Sequence, residues 1–212
     1  MSLPEPPVES ACAPSGFNIV PPPGWDTVPL RNGTSEAIQR IVGKSVAQLP
    51  AGFPKDDIPK ARLRLTKELK QTVRQARKSH GLTLYLPVER MHGIIIPASF
   101  VASEPLAAPT GDVAPEAVLR DLARDAEDAS VREVDGTAAV RTLRRLAADP
   151  DNGVEVPTWR VQYTVPIPHS VPAQWLTFSF STLIAPDMGT EFAEILVELF
   201  DAVMTTFRWS YA

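Results

Sequence analysis

Cysteine is almost absent from this chain, which has Cys12 and no other among its 212 residues. A single cysteine excludes an internal disulfide and any metal site made of several cysteines from one chain. Residues 1–9 contain neither a basic segment nor an apolar one, so they do not match a signal peptide. We therefore expect a reducing compartment and a cytoplasmic location.

The sequence also lacks the common catalytic signatures and any long apolar run. It has no GxSxG, no HExxH, no glycine-rich phosphate loop and no EF-hand pattern. Its three histidines, His80, His92 and His169, are far apart. No apolar run approaches the roughly 18 residues of a membrane-spanning helix. These absences predict a protein that is not an enzyme, binds no metal ion or cofactor, and has no transmembrane segment.

Positive charge is scarce except in one segment. The net charge of −4 argues against a general nucleic-acid binder, for which a strongly basic balance is expected. Residues 55–90, however, contain ten Lys or Arg and four Asp or Glu, a balance of +6, so the remainder of the chain sums to −10. The positive charge is therefore concentrated in a single stretch of the chain.

The clearest structural signal is a strand followed by a helix near the C-terminus. Residues 174–184 alternate between apolar and polar side chains, which places Phe178 and Phe180 on one face of a half-buried strand. Apolar residues then recur at helical spacing from Phe192 to Phe207, as expected for a helix that covers a sheet. The other side of that helix is acidic and contains Glu191, Glu194, Glu198 and Asp201.

The rest of the chain alternates helices with strands joined by short turns. Helices are predicted over 36–49, from an Asp56 or Asp57 cap to about Ser79, and over 115–129. Strands are predicted over 17–30 with a proline interruption, 82–88, 93–101, 131–134, 137–143 and 156–165. Short turns between consecutive strands imply an antiparallel sheet flanked by helices, an α+β fold. Residues 1–15 are expected to form a flexible Pro/Ala-rich leader before a single domain at 16–212.

The helix that ends near Ser79, with Gly81 as its exit, has two contrasting sides. Apolar residues such as Leu65, Leu69 and Val73 fall on one side, and basic residues fall nearly opposite over about 27 Å. The candidate partner-binding residues on the basic side are Lys60, Leu63, Arg64, Lys67, Lys70, Arg74, Arg77 and Lys78.

Two interpretations of this basic side are open. The first is a surface that is simply solvated, or neutralised by acidic neighbours such as the helix at 116–128. The second is a site for an acidic protein, an anionic lipid surface or nucleic acid. Leu63 lies inside the basic stripe and favours a protein partner, because an apolar residue among charges can anchor a contact. The position of Glu194, Glu198 and Asp201 relative to this helix distinguishes the two interpretations.

Several short motifs resemble the PsbP/Mog/DcrB-like superfamily of α/β/α sandwiches. They are the opening strand into Pro22–Trp25, the helix before a Val-Asp-Gly-x-Ala hairpin at 134–138, the long alternating strands, and the closing helix with its ending Thr206–Trp209. The ending at 200–209 is similar to small actinobacterial members. The resemblance covers about residues 16–30 and 82–210, so the two helices at 34–80 are expected to be a helical insertion.

The resemblance implies a non-catalytic function, because members of the superfamily generally bind photosystem subunits, a small GTPase or secreted effectors. We therefore expect a protein-binding adaptor or chaperone-like protein, associated with a secretion or injection apparatus, whose partner has an acidic surface. The alternative is a small-molecule or lipid-binding module with a pocket between the sheet and its helices. Trp175 points away from Phe178 and Phe180, onto a face that is either covered by another helix or open to a partner. The helices predicted on both sides of the sheet favour the cover.

Overall fold

The computed structural model describes residues 12–91, 93–94, 96–105, 114–124, 128–148, 156–184 and 189–212. Most of the predicted leader at 1–15 lies outside these ranges, as does His92. Ser15, at the end of the predicted leader, donates its backbone N–H to the carbonyl oxygen of Ser210 at 2.8 Å. The two ends of the described chain are therefore joined.

The observed elements follow the predicted order, except that the last helix ends at Thr205 and is followed by an unpredicted short strand that pairs with the first strand. The described helices are α1 (Thr34–Ala47), α2 (Ile58–Lys78, entered through a 3₁₀ turn at Lys55–Asp57), α3 (Pro115–Arg124) and α4 (Gly189–Thr205). The described strands are β1 (Gly16–Asn18), β2 (Trp25–Pro29), β3 (Gly81–Pro87), β4 (Ala98–Ser103), β5 (Ala129–Val134), β6 (Thr137–Leu146), β7 (Thr158–Pro166), β8 (Trp175–Leu183) and β9 (Arg208–Ser210). The main sheet has seven strands in the order β2-β3-β4-β8-β7-β6-β5, and all its neighbouring pairs are antiparallel. The predicted α+β fold, an antiparallel sheet flanked by helices, is confirmed.

Helix α4 covers one face of the main sheet. Since β8 alternates on period two, Phe178 and Phe180 both point to this face, where they meet Phe200 and Phe207 from the C-terminal segment. The Phe180 and Phe200 rings stack with centroids 4.9 Å apart, and Phe178 meets Phe207 edge-on at 5.5 Å. None of the four side chains is more than 2% exposed, so this aromatic cluster is the centre of the core.

The opposite face, which we call the polar face, is covered at its two ends. At one end, α1 and α2 lie over β2 and β3, and Val73 of α2 packs with Val28 and Leu84 of the sheet. At the other end, α3 lies over β5 and β6 in a cluster that includes Val140 and Trp175. The predicted cover over Trp175 is therefore confirmed. Between the two ends, β8 and β7 carry polar side chains on this face.

Strand β4 begins later than the sequence predicts. The apolar run suggests a strand from Gly93, whereas β4 starts at Ala98. Met91 and Ile94 instead exchange two backbone hydrogen bonds of 2.9 Å, which closes a turn before the sheet. Pro97 follows and has no N–H to donate, so the ladder starts only after it.

The exit from α2 differs from the prediction as well. His80, not Gly81, adopts the left-handed conformation after the helix, with φ of 54°, and Gly81 is the first residue of β3. Gly81 is needed for a different reason. A Cβ atom at this position would lie 2.5 Å from Leu30 Cδ1 and 2.7 Å from the carbonyl oxygen of Ala76. The absence of a side chain here lets α2 pack closely on the sheet.

Two of the motifs that carry the superfamily resemblance meet in space. Asp135 and Gly136 have φ of 47° and 74°, as the tight turn between β5 and β6 requires. Asp135 Oδ2 accepts the backbone N–H of Trp209 at 2.8 Å, and Thr137 Oγ1 accepts its indole N–H at 3.0 Å. The hairpin therefore holds β9 and the end of the chain in place.

An ion-pair cluster joins α1 to the edge strand β2. The Asp26 carboxylate accepts hydrogen bonds from Arg40 Nη2 at 2.8 Å, Lys44 Nζ at 3.0 Å and the Thr27 N–H at 2.8 Å. Burial by itself raises the pKa of this carboxyl, but the donors outweigh burial and lower the pKa from 3.8 to about 2. The charged form of Asp26 is thus favoured in the folded protein.

We expect this cluster to give the protein a specific acid sensitivity. The lowered pKa of Asp26 means that its contribution is complete above pH 3.8 and is lost as the pH falls towards 2. Because Arg40 and Lys44 are about half exposed, the contribution is about 1 kcal/mol. Urea unfolding of the wild type and of Asp26→Asn across this pH range measures it. Above pH 3.8 the variant should have a lower free energy of unfolding than the wild type, and it should lose less of it as the pH falls. If the free energies of the two proteins fall in parallel, the assignment is contradicted.

Candidate functional site

The predicted basic side of α2 faces away from the sheet, as its helical periodicity requires. Val73 and Ala76 are buried, and Leu65 and Leu69 pack partly against the same cluster. All eight candidate residues are exposed. The structure divides them, however, into residues that are bound within the protein and residues that are not.

Three of the eight candidates are engaged by neighbouring groups. Lys60 Nζ lies 3.0 Å from Asp57 Oδ1, and Arg64 Nε lies 2.8 Å from Glu68 Oε1. The first pair joins the helix to the turn before it, at a spacing of three residues, and the second lies along the helix, at a spacing of four. Arg77 has a structural contact, because its Nε donates to the carbonyl oxygen of Leu30 at 2.7 Å and its Nη2 to Thr34 Oγ1 at 2.8 Å. Arg77 thereby joins α2 to the start of α1.

Four other candidates form a continuous surface, which we call the α2 patch: Leu63, Lys67, Lys70 and Arg74. Together with Thr66 and Gln71 they occupy one outward side of the helix. Leu63 is 72% exposed. Within the described residues, no ion pair involves any of the three cations of the patch. Lys78, the eighth candidate, is exposed at the C-terminal end of α2, outside the α2 patch.

The acidic side of α4 does not neutralise this patch. Helix α4 covers one face of the sheet and α2 lies on the other, so Glu194 and Glu198 are separated from α2 by the sheet itself. Asp201 is bound by Arg141 and Tyr163 on the α4 side. These acids therefore do not face the basic helix, and the acidic side of α4 and the basic side of α2 lie on opposite faces of the sheet.

Helix α3, the other acidic candidate, is also distant from α2. It packs on β5 and β6, whereas α2 packs on β3. The strands β4, β8 and β7 separate β3 from β6, which corresponds to roughly 19 Å at the usual strand spacing. The acidic residues of α3 are thus at the far end of the polar face.

A recess of about 280 Å³ lies beside α2, between its last two turns and the centre of the polar face. Its floor includes Ser99 of β4, Ser179 and Ser181 of β8, and Arg160 of β7. Thr72, Gln75 and Ser79 contribute from the helix. The recess is open and rich in hydroxyl groups. The sequence indicated the polar alternation of β7 and β8, but not that a helix would lie beside these side chains.

A buried polar cluster lies on the α4 face. Arg141, 9% exposed, donates from Nε to Asp201 at 2.8 Å, and the Tyr163 hydroxyl donates to the same carboxylate at 2.8 Å. Burial opposes the charge on Arg141, but the contact with Asp201 outweighs burial and raises the pKa of Arg141. Burial and the bond to Asp201 also raise the pKa of Tyr163. The cluster attaches α4 to β6 and β7.

Other sequence candidates have no constellation around them. His80 lies at the C-terminal end of α2, His169 is exposed in the loop before β8, and Cys12 is exposed. Nowhere in the described ranges do three or more His, Cys, Asp or Glu side chains come together in a way that could hold a metal ion. None of the described helices combines the length and the apolar composition needed to cross a membrane.

No protein-family model matches this chain, and no curated protein matches its sequence. The structure is similar to a solved structure of LpqN, which is described as involved in cell envelope biogenesis of Mycobacterium tuberculosis. That match has a TM-score of 0.47 and 11% sequence identity, and it covers 92% of this chain and 86% of that chain. We draw no functional conclusion from so distant a likeness, and the superfamily resemblance stays a prediction.

Proposed function

We propose that this chain is a non-catalytic adaptor or chaperone-like protein that binds an acidic protein through the α2 patch. The observation that supports the proposal is the exposed Leu63 beside Lys67, Lys70 and Arg74, whose charges are not used in ion pairs within the described structure. The superfamily resemblance points to the same class of function. Association with a secretion or injection apparatus, and a cytoplasmic location, stay predictions.

The chemistry of the patch suits a protein surface. An exposed leucine offers an apolar anchor, and cations around it contribute attraction and orientation at the rim of an interface. The acidic side of α4 lies on the opposite face of the sheet, so it would repel an acidic partner that approached that face. Charge complementarity would therefore direct the partner to α2.

Reversing the charge of the patch tests the proposal. We expect Lys67→Glu/Lys70→Glu/Arg74→Glu to lower partner capture about tenfold or more, because each rim cation becomes a repulsive charge. The measurement is quantitative mass spectrometry of proteins captured from an extract of the native organism. Leu63→Ser should lower capture of the same protein, since it removes the apolar anchor.

The matched control carries the same change of charge elsewhere. It is Arg120→Glu/Arg132→Glu/Arg145→Glu, which alters three exposed arginines away from α2. This control should capture the partner as the wild type does. Equal capture by the patch variant and the wild type, with both folded by circular dichroism, would show that the α2 patch is only a solvated surface.

The recess beside α2 supports the alternative function, a small-molecule or lipid-binding module. It lies between the sheet and a helix, as that alternative requires. Serine and threonine hydroxyls on its lining favour a polar ligand over an acyl chain, because an apolar chain would leave them without hydrogen-bond partners.

A further inference from the structure

Two arginines stand directly opposite each other on the central strands. In the register of β6 and β7, Arg144 pairs with Arg160. Side chains that are directly opposite in an antiparallel pair have Cβ atoms about 5 Å apart on the same face. The flanking residues Leu143 and Val161 both pack in the cluster under α4. Because neighbours along a strand alternate, both guanidinium groups belong to the polar face.

This placement is unfavourable without a counter-ion. Like charges directly across a strand pair repel and destabilise the sheet. Both arginines are exposed, and neither forms an ion pair within the ranges that the structure describes. The neighbouring polar-face residues in register are neutral, namely Ser181 beside Arg160 on β8 and Ser99 beyond it on β4. An anion bound between the guanidinium groups would remove the repulsion.

The arginine pair is continuous with the recess beside α2. Arg160 lines that recess together with Ser99 and Ser181, and Gln75 of α2 lies on its other wall. A ligand could therefore place an anionic group on the arginines and hydroxyl groups among the serines. The volume of about 280 Å³ is sufficient for a compact molecule.

We propose that Arg144 and Arg160 bind the phosphate of a small, hydroxylated phosphate monoester, whose hydroxyl groups lie in the recess. A phosphate has several acceptor oxygens, and the planar guanidinium fork matches it with paired hydrogen bonds. The inference gives the alternative function a site and a ligand class. It rests on that alternative and not on the α2 patch, because the two sets of residues do not overlap.

Binding is tested with glycerol phosphate, inorganic phosphate and glycerol by calorimetry and by thermal unfolding of the full chain in phosphate-free buffer. Glycerol phosphate should bind most tightly and raise the unfolding temperature, whereas glycerol alone should not. Arg144→Gln and Arg160→Gln should each weaken binding about tenfold or more, because each removes a charged pair of hydrogen bonds. Without ligand, either variant should unfold at a higher temperature than the wild type, since the repulsion is gone.

Arg145→Gln is the matched control. It lies next to Arg144 on the same strand but on the other face, opposite Trp159. It should leave phosphate binding unchanged, as should the charge-reversed α2 patch. Vesicles of phosphatidylcholine with and without phosphatidic acid distinguish the source: co-sedimentation that depends on phosphatidic acid and on Arg160 identifies a lipid headgroup, and its absence identifies a free metabolite.

Three outcomes would overturn the inference. The first is the absence of binding by every phosphate probe, and the second is an equal loss of binding in Arg145→Gln. The third concerns the acidic residues between β6 and β7, which lie outside the described residues. If neutralising them destabilises the wild type but not Arg144→Gln, the arginines form ion pairs with that segment and do not bind a ligand. The residues to neutralise are Asp149, Asp151 and Glu155.

Discussion

Replacing Asp201 by alanine should lower the free energy of unfolding by about 3 kcal/mol, because it leaves Arg141 charged, buried and without its partner. Arg141 is 9% exposed and Asp201 is 30% exposed, which places the effect at the low end of the range for buried pairs. The Tyr163 hydroxyl loses its acceptor in the same variant. Denaturant unfolding followed by tryptophan fluorescence measures the loss.

A double variant separates the unpaired charge from the lost contact. Arg141→Met in the Asp201→Ala background removes the buried charge and should recover about 1 to 2 kcal/mol. Glu198→Ala, on the same helix and exposed, should change stability by less than about 0.5 kcal/mol. If Asp201→Ala and Glu198→Ala cost the same, the cluster does not hold α4 to the sheet.

The periodic part of the fold could be predicted because burial imposes its period on the sequence. Strand β8 alternates and α4 repeats at helical spacing, and the structure places both where that pattern requires. Trp175 lies on the otherwise polar side of β8, and the cover expected over it from the predicted helices is provided by α3. The strand order could not be obtained in this way, since β4 pairs with β8, and the residues that meet, such as Phe100 and Phe180, are far apart in the chain.

The candidate site shows the same division between local and distant information. The ion pairs Lys60–Asp57 and Arg64–Glu68 join residues three and four positions apart, so they can be predicted from helical spacing. The structural contact of Arg77 could not be predicted, because its acceptor, the carbonyl oxygen of Leu30, lies 47 residues away in the chain. The opposition of Arg144 and Arg160 depends on the register of β6 and β7, which the connecting segment does not specify.

We expect Gly81→Ala to lower the free energy of unfolding by about 3 kcal/mol, the high end for an overpacked site. The new methyl group would lie 2.7 Å from the carbonyl oxygen of Ala76, a backbone atom that moves only if α2 moves. It would also lie 2.5 Å from Leu30 Cδ1. Since α2 carries both the α2 patch and one wall of the recess, its displacement should impair partner capture as well as stability.

Gly43→Ala is the control for this prediction, because a Cβ atom at Gly43 in α1 meets nothing within 4 Å. It should stabilise the same helical layer by about 0.5 to 1 kcal/mol through helix propensity. Hydrogen exchange locates the effect of Gly81→Ala: amides of α1 and α2 should lose more protection than those of β6, β7 and β8. A uniform loss of amide protection across the sheet would mean that Gly81 affects the whole fold. An unchanged free energy of unfolding would mean that this close approach does not hold α2 against β3.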